Sequence, residues 1–315
     1  MNVETEPKQK KVSLKGRHLL TWKDYDREEI VYLLERALEM KEQPLSEALA
    51  QKTLAMIFEK SSTRTRVSFE VGMTQLGGKA IHLNSRDMQL GRGETISDTS
   101  EVLSRYVNGI MIRTDSHQKL EELASNGNVP VINGLCDIYH PCQALADMMT
   151  IYEQKGRFAG VKLVYTGDGN NVAHSLMIIG AVLGLDVVIA SPNGYEPLDF
   201  VIRDAERLAA ENGGSLQVTS DIQAAVNEAD VLYTDVWTSM GQEAEEQERK
   251  KALAPYQINQ GLLEQAKSDV SVLHCLPAHR GEEITAEVID GESSVVFDQA
   301  ENRLHVQKAI MEALL

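Results

Sequence analysis

The chain has 315 residues, 43% of them apolar and 25% charged, with a net charge of -16. That length exceeds the roughly 100–200 residues of one domain, so two cores are expected and a disordered chain is excluded. The acidic balance excludes a surface built to replace counterions on nucleic acid or an anionic membrane.

In chain order, residues 24–41 carry Ile30, Leu33, Leu34, Ala37 and Leu38 at helical spacing. The short apolar run 54–58 reads as a buried strand. A hydroxyl-rich stretch, 61–65, leads into a helix over 67–76 that Gly77-Gly78 closes. A strand at 79–83, a polar loop at 84–94, a helix at 97–106 and a strand at 109–112 continue the alternation. Residues 142–154 read as a long helix, broken at Lys155-Gly156-Arg157.

A second series starts at Val161, with strands at 162–165, 186–190, 216–219, 231–234 and 272–274. Helices at 173–183, 198–212, 222–229 and 260–266 lie between them, and residues 242–251 read as a mobile polar loop. The pattern predicts an α/β protein of two doubly wound parallel-sheet domains joined by helices, one over 1–150 and one over 151–300.

Three cysteines without a CxxC pair, Cys136, Cys142 and Cys275, suit neither a disulfide framework nor a structural zinc site. Residues 1–20 are polar and include Glu4 and Glu6, unlike a signal or transit peptide. No run reaches the ~18 apolar residues of a membrane span. A soluble, cytoplasmic protein without a metal or cofactor, bound to neither membrane nor nucleic acid, is expected.

The strongest chemical signal is Ser61-Ser-Thr-Arg-Thr-Arg66, set between a strand and a helix start. Unpaired N–H groups at a helix start, hydroxyls and guanidinium groups together make a phosphate cradle. Helix capping is the plain alternative, but it needs one hydroxyl and this segment has four. The run Ser62-Thr63-Arg64-Thr65-Arg66 resembles the carbamoyl phosphate signature shared by aspartate and ornithine carbamoyltransferases. His140-Pro141-Cys142-Gln143 resembles the segment with which that family grips the carbamoyl head. Pro141 also suits a first helical position, and the His and Gln side chains offer donors and an acceptor. The resemblance further assigns Gln89, Arg113 and Arg303 to carbamoyl phosphate, and it packs a helix over about 301–315 back on the first domain.

The second half points to the ornithine branch. His274-Cys275-Leu276-Pro277 resembles the segment that lies beside the reacting amine, although an isolated cysteine there would otherwise read as a core residue. Asp235-Val-Trp-Thr-Ser239-Met240-Gly241 resembles the loop that fixes the amino acid end of the substrate. Gly167-Asp-Gly-Asn-Asn171 lacks the third glycine of a dinucleotide fingerprint, and the resemblance gives Asn171 to the substrate.

These likenesses imply an enzyme moving the carbamoyl group of carbamoyl phosphate onto ornithine in arginine metabolism. Arg64, Arg113, His140 and Cys275 are its catalytic candidates. They also imply a homotrimer with shared active sites, Gln89 reaching the neighbouring subunit. Another amine such as putrescine, or a non-catalytic ligand-binding relative, is the alternative.

Overall fold

The computed structural model describes residues 12–238 and 243–315. Helix α1 (Arg27–Glu42) opens on a capping box in which Asp26 and Glu29 exchange side-chain-to-backbone hydrogen bonds. It buries Ile30, Leu33, Leu34, Ala37 and Met40. There follow β1 (Thr53–Phe58), α2 (Thr63–Gln75), β2 (Lys79–Asn84), α3 (Ile96–Ser104) and β3 (Gly109–Arg113). Next come α4 (His117–Asn126), β4 (Val131–Leu135) and α5 (Pro141–Lys155). Proline at its first position starts α5, and Gly156 in the left-handed region ends it.

The second half comprises β5 (Lys162–Thr166), α6 (Asn171–Leu183), β6 (Asp186–Ala190), α7 (Asp199–Asn212), β7 (Ser215–Thr219) and α8 (Ile222–Val226). It continues through β8 (Val231–Thr234), α9 (Glu246–Leu253), α10 (Gln260–Leu263), β9 (Ser271–His274), α11 (Ala286–Ile289) and α12 (Val296–Leu314). The first sheet has the order β2-β1-β3-β4 and the second β7-β6-β5-β8-β9. Every pairing is parallel, so the fold is the doubly wound α/β arrangement expected.

Period-two alternation separates the two faces of the second sheet. Leu163, Tyr165, Val187, Ile189, Val231, Tyr233 and Leu273 join one apolar core with the first sheet. Val164, Val188, Ala190, Leu232 and Val272 form the other face with α8 and α11. Helix α12 packs on α1, α2 and α5 and touches β9, while α5 reaches α6. These two helices tie the halves together.

The structure corrects several element assignments. Residues 246–253 are helical rather than loop, and α9 buries Arg249 and Leu253. Helix α12 begins at Val296, five residues before the expected start. The elements α4, β4 and α11 lie outside the expected series, and α8 and α10 end three residues early. Among the described residues no helix is long and apolar enough to cross a membrane.

Candidate active site

A cleft of about 790 Å³ opens where the carboxyl ends of both sheets face each other. From the first half it takes Ser62, Thr63 and Arg64 after β1, Arg113 at the end of β3, and His140 after β4. From the second it takes Asn170 and Asn171 after β5, Asp235 after β8, and Cys275 and Leu276 after β9; α12 supplies Arg303.

The start of α2 is organised by its own hydroxyls. Ser62 Oγ accepts from the Thr65 N–H, at 3.3 Å, and donates to Thr65 Oγ1, at 3.0 Å. Thr65 Oγ1 in turn accepts from Arg303 Nη2 at 3.0 Å, which fastens α12 to the loop. Thr65 therefore supports the wall from behind, while Ser62, Thr63 and Arg64 line the cleft. Arg66 points away and pairs with Glu70 at 3.5 Å.

Arg64, Arg113 and Arg303 converge on one wall. Among the described residues none of the three has a carboxylate within ion-pair distance, and the Nε of Arg113 and of Arg303 is buried without a partner. Burial, then the repulsion of Arg303, pulls Arg113 down to about 10. Arg303 is lowered by burial. Unpaired cations in a partly desolvated wall are costly and are stabilised by an anion placed among them. His140 sits beside them, its backbone N–H donating to Ser175 Oγ at 2.7 Å and its ring Nδ1 buried with no partner among the described residues. Burial, then Arg303 and Arg113, holds its imidazole well below the ordinary value, so the ring is neutral and can donate to a carbonyl oxygen.

The opposite wall is anionic. Asp235 accepts the Cys275 thiol on Oδ1 at 2.9 Å and the Asn170 amide on Oδ2 at 2.8 Å. Burial, then the Asp235 charge, pushes the thiol well above its ordinary range, so near neutrality Cys275 is a thiol donating to a carboxylate. Leu276 is held at φ 54°, and its N–H donates to His274 Nδ1 at 2.9 Å. The other ring nitrogen of His274 meets Glu283 Oε1 at 2.9 Å. The ligand atoms of Asp235, His274 and Cys275 lie within 4.8 Å of one another, yet both His274 nitrogens are already engaged.

The remaining expected residues are placed differently. Asn171 lines the cleft but spends its amide on the Cys136 carbonyl at 2.6 Å. Pro141 gives its carbonyl to the Trp22 indole at 2.8 Å. The Cys142 thiol, pushed up to about 12 by burial, contacts the Asn133 carbonyl. Gln143 lies one turn behind His140, against Asp147. Gln89 is exposed in a short 3₁₀ turn and does not line its own chain's cleft. Ser239 and Met240 lie outside the described residues.

Asn170, Asp147 and Arg249 belong to the site's surroundings without being marked by any sequence motif. Asn170 was visible in principle, because its side chain caps α6 directly after a strand, a common role for asparagine. Arg249 carried no local signal; it reaches Asp168 at 2.5 Å and the Trp237 carbonyl at 2.7 Å. Gly169 needs its missing side chain, since a Cβ there would lie 2.2 Å from the backbone of Pro197.

Two family descriptions match consecutive parts of the chain. "Aspartate/ornithine carbamoyltransferase, carbamoyl-P binding domain" covers residues 17–153, and the corresponding "Asp/Orn binding domain" covers 159–314. The ornithine carbamoyltransferase of Bacillus subtilis strain 168 is 61% identical over 96% of this chain and 95% of its own length. That of Anoxybacillus flavithermus is 59% identical, covering 96% and 98%. The solved structure of the Pyrococcus furiosus ornithine carbamoyltransferase superposes with a TM-score of 0.94 at 59% identity, over 96% of this chain and 98% of that one. The matches run through both walls of the cleft, and the chain belongs to the aspartate/ornithine carbamoyltransferase family.

Proposed function

We propose that the chain is an ornithine carbamoyltransferase, converting carbamoyl phosphate and L-ornithine to L-citrulline and phosphate in the cytoplasm. Residues 1–150 form the carbamoyl phosphate domain and residues 151–300 the ornithine domain, with α12 returning to the first. The observation that carries this reading is the cleft's polarity: three arginines with no carboxylate partner among the described residues face a carboxylate and thiol across one cavity. An anion on one wall and a cationic amino acid on the other satisfy both.

In this reading Ser62, Thr63, Arg64, Arg113 and Arg303 hold the phosphate, Thr65 braces them, and neutral His140 donates to the carbamoyl oxygen. Pro141, Cys142, Gln143, Cys275 and Leu276 complete that pocket, and Asn171, Asp235, Ser239 and Met240 take ornithine. The δ-nitrogen bonds to the carbamoyl carbon, the carbon–oxygen bond to phosphate breaks, and phosphate leaves with the electron pair. Negative charge grows on the oxygens during this step, so donors fixed beforehand accelerate it.

The amine must also shed a proton. With a solution pKa near that of lysine, only on the order of one amine in a few thousand is neutral at pH 7. Cys275 holds its own proton while Asp235 faces it. When the substrate's α-ammonium pairs with Asp235, that carboxylate's repulsion of the thiolate weakens, the thiol releases its proton to solvent, and the resulting thiolate takes the proton of the δ-ammonium. The exposed Gln89, away from its own cleft, favours a homotrimer in which it serves the neighbour's carbamoyl phosphate.

Calorimetric titration tests the arginine wall. Arg113→Met should weaken carbamoyl phosphate binding by at least tenfold, since a charge-assisted hydrogen bond contributes ~1.5–3 kcal/mol. Unchanged affinity in the folded variant overturns the assignment.

A further inference from the structure

Helix α5 carries a stripe of polar residues inward from the cleft. His140 at its cap lines the cleft, Gln143 lies one turn on, and Asp147 a further turn on the same face. Gln143 and Asp147 are buried to 1% and 0% exposure, an unusual place for a carboxyl group with no ion-pair partner among the described residues. Asp147 Oδ1 accepts the Gln143 amide at 2.8 Å and the Gln299 amide at 2.7 Å.

We propose that Asp147 is a positioning residue: it fixes which end of the Gln143 amide is free for substrate, and so makes the site take a carbamoyl head over an acyl head of the same shape. This rests on the reading that Gln143 meets the carbamoyl amide. A carboxylate oxygen accepting two hydrogen bonds leaves each glutamine no choice but to turn its NH2 toward it. Gln143 Oε1 is then the atom left over, and it is buried without a partner among the described residues. A stranded acceptor calls for a donor, which the NH2 of a carbamoyl group has and the methyl of an acetyl group lacks.

The two glutamines are not equally dependent on Asp147. Gln299 is also held by the Tyr233 hydroxyl at 3.1 Å and by the His274 N–H, which its Oε1 accepts at 2.9 Å. For Gln143, Asp147 is the one side-chain partner among the described residues. Burial lifts the Asp147 carboxyl to about 7, opposed by the hydrogen bonds from Gln143 and Gln299 and by the charge of Arg303. A proton on Oδ2, the oxygen with no partner among the described residues, leaves Oδ1 accepting, so the orientation holds in either protonation state. An asparagine at this position could present oxygen or NH2, and Gln143 would lose its fixed polarity.

The experiment measures dissociation constants of carbamoyl phosphate and acetyl phosphate by calorimetry on the full-length protein. Asp147→Asn should cut the preference for carbamoyl phosphate on the order of tenfold, with acetyl phosphate affinity little changed. Gln143→Met should cut the preference as far, and the double variant no further. If Gln143→Met loses the preference while Asp147→Asn retains it, the proposal is overturned and the carbamoyl assignment of Gln143 stands. A preference retained in Gln143→Met removes that assignment and the proposal with it. Equal weakening of both ligands in Asp147→Asn reduces Asp147 to a structural role and also overturns it. Should the asparagine variant fail to fold, Asp147→Ser, smaller and still able to donate to Gln143, is read in the same way.

Discussion

Cys275 takes its chemistry from its neighbour. Its thiol donates to Asp235 at 2.9 Å, and after burial that carboxylate is the largest influence holding the proton on sulfur. Replacing the carboxylate by a neutral amide removes the repulsion against thiolate, so in Asp235→Asn the thiol pKa should fall. Alkylation of Cys275 by iodoacetamide, followed by peptide mass spectrometry, should begin at lower pH than in the parent chain, and ornithine KM should rise while carbamoyl phosphate binding is kept. An unchanged alkylation profile would remove Asp235 as the cause. At this scale the contiguous run Ser61-Ser-Thr-Arg-Thr-Arg66 was readable because its partners lie side by side in the chain. Arg303 meets Thr65 across 238 positions, and Asp147 meets Gln299 across 152. Pairings of that kind leave no local trace, so Arg303 was reached by family likeness and Asp147 not at all.

Among the elements, the strands of the second sheet were legible because each is a short β-branched or aromatic run ended by a turn. The failures have local causes. Helix α4 buries only Leu120 and Leu123 in an otherwise polar decamer, and Asn133-Gly134 weakens the strand signal of β4. Phe297, 73% exposed, puts a large apolar residue on the outer face of α12 and blurs its start. Helix α9 is held by tertiary contacts of Arg249, which reaches Asp168 and the Trp237 carbonyl and lies over the Tyr195 ring at 5.1 Å. Both members of the ion pair are nearly buried, at 7% and 14% side-chain exposure. Removing one charge from such a pair costs about 3–5 kcal/mol, because the other stays buried and unpaired. Arg249→Met should therefore lower the urea midpoint substantially. A midpoint within error of the parent would show that the pair contributes little and that α9 is held by other contacts.

For the whole molecule, one continuous core spans the first sheet, α5, α12 and one face of the second sheet, so the two walls of the cleft are set by shared packing. Gln89 is an exposed candidate that this packing leaves outside its own cleft. A closed three-fold ring uses one heterologous contact three times, which suits a turn donated to the next subunit. In the proposed homotrimer, mixing Gln89→Ala with Arg64→Ala chains after mild dissociation should restore part of the activity, because a mixed assembly can build a site from one intact copy of each. No recovery despite demonstrated subunit exchange would exclude the shared site.

In the proposed division of the cleft, the cationic wall takes carbamoyl phosphate while the Asp235–Cys275 wall takes an amino acid with a side-chain amine. A steady-state assay of phosphate release with saturating carbamoyl phosphate, comparing ornithine, putrescine, lysine and aspartate as acceptors, decides it. The expected result is a kcat/KM for ornithine at least a hundredfold above each of the others, about 2.7 kcal/mol of discrimination, with citrulline as product. Putrescine used as well as ornithine, or phosphate release independent of any amine, would contradict it.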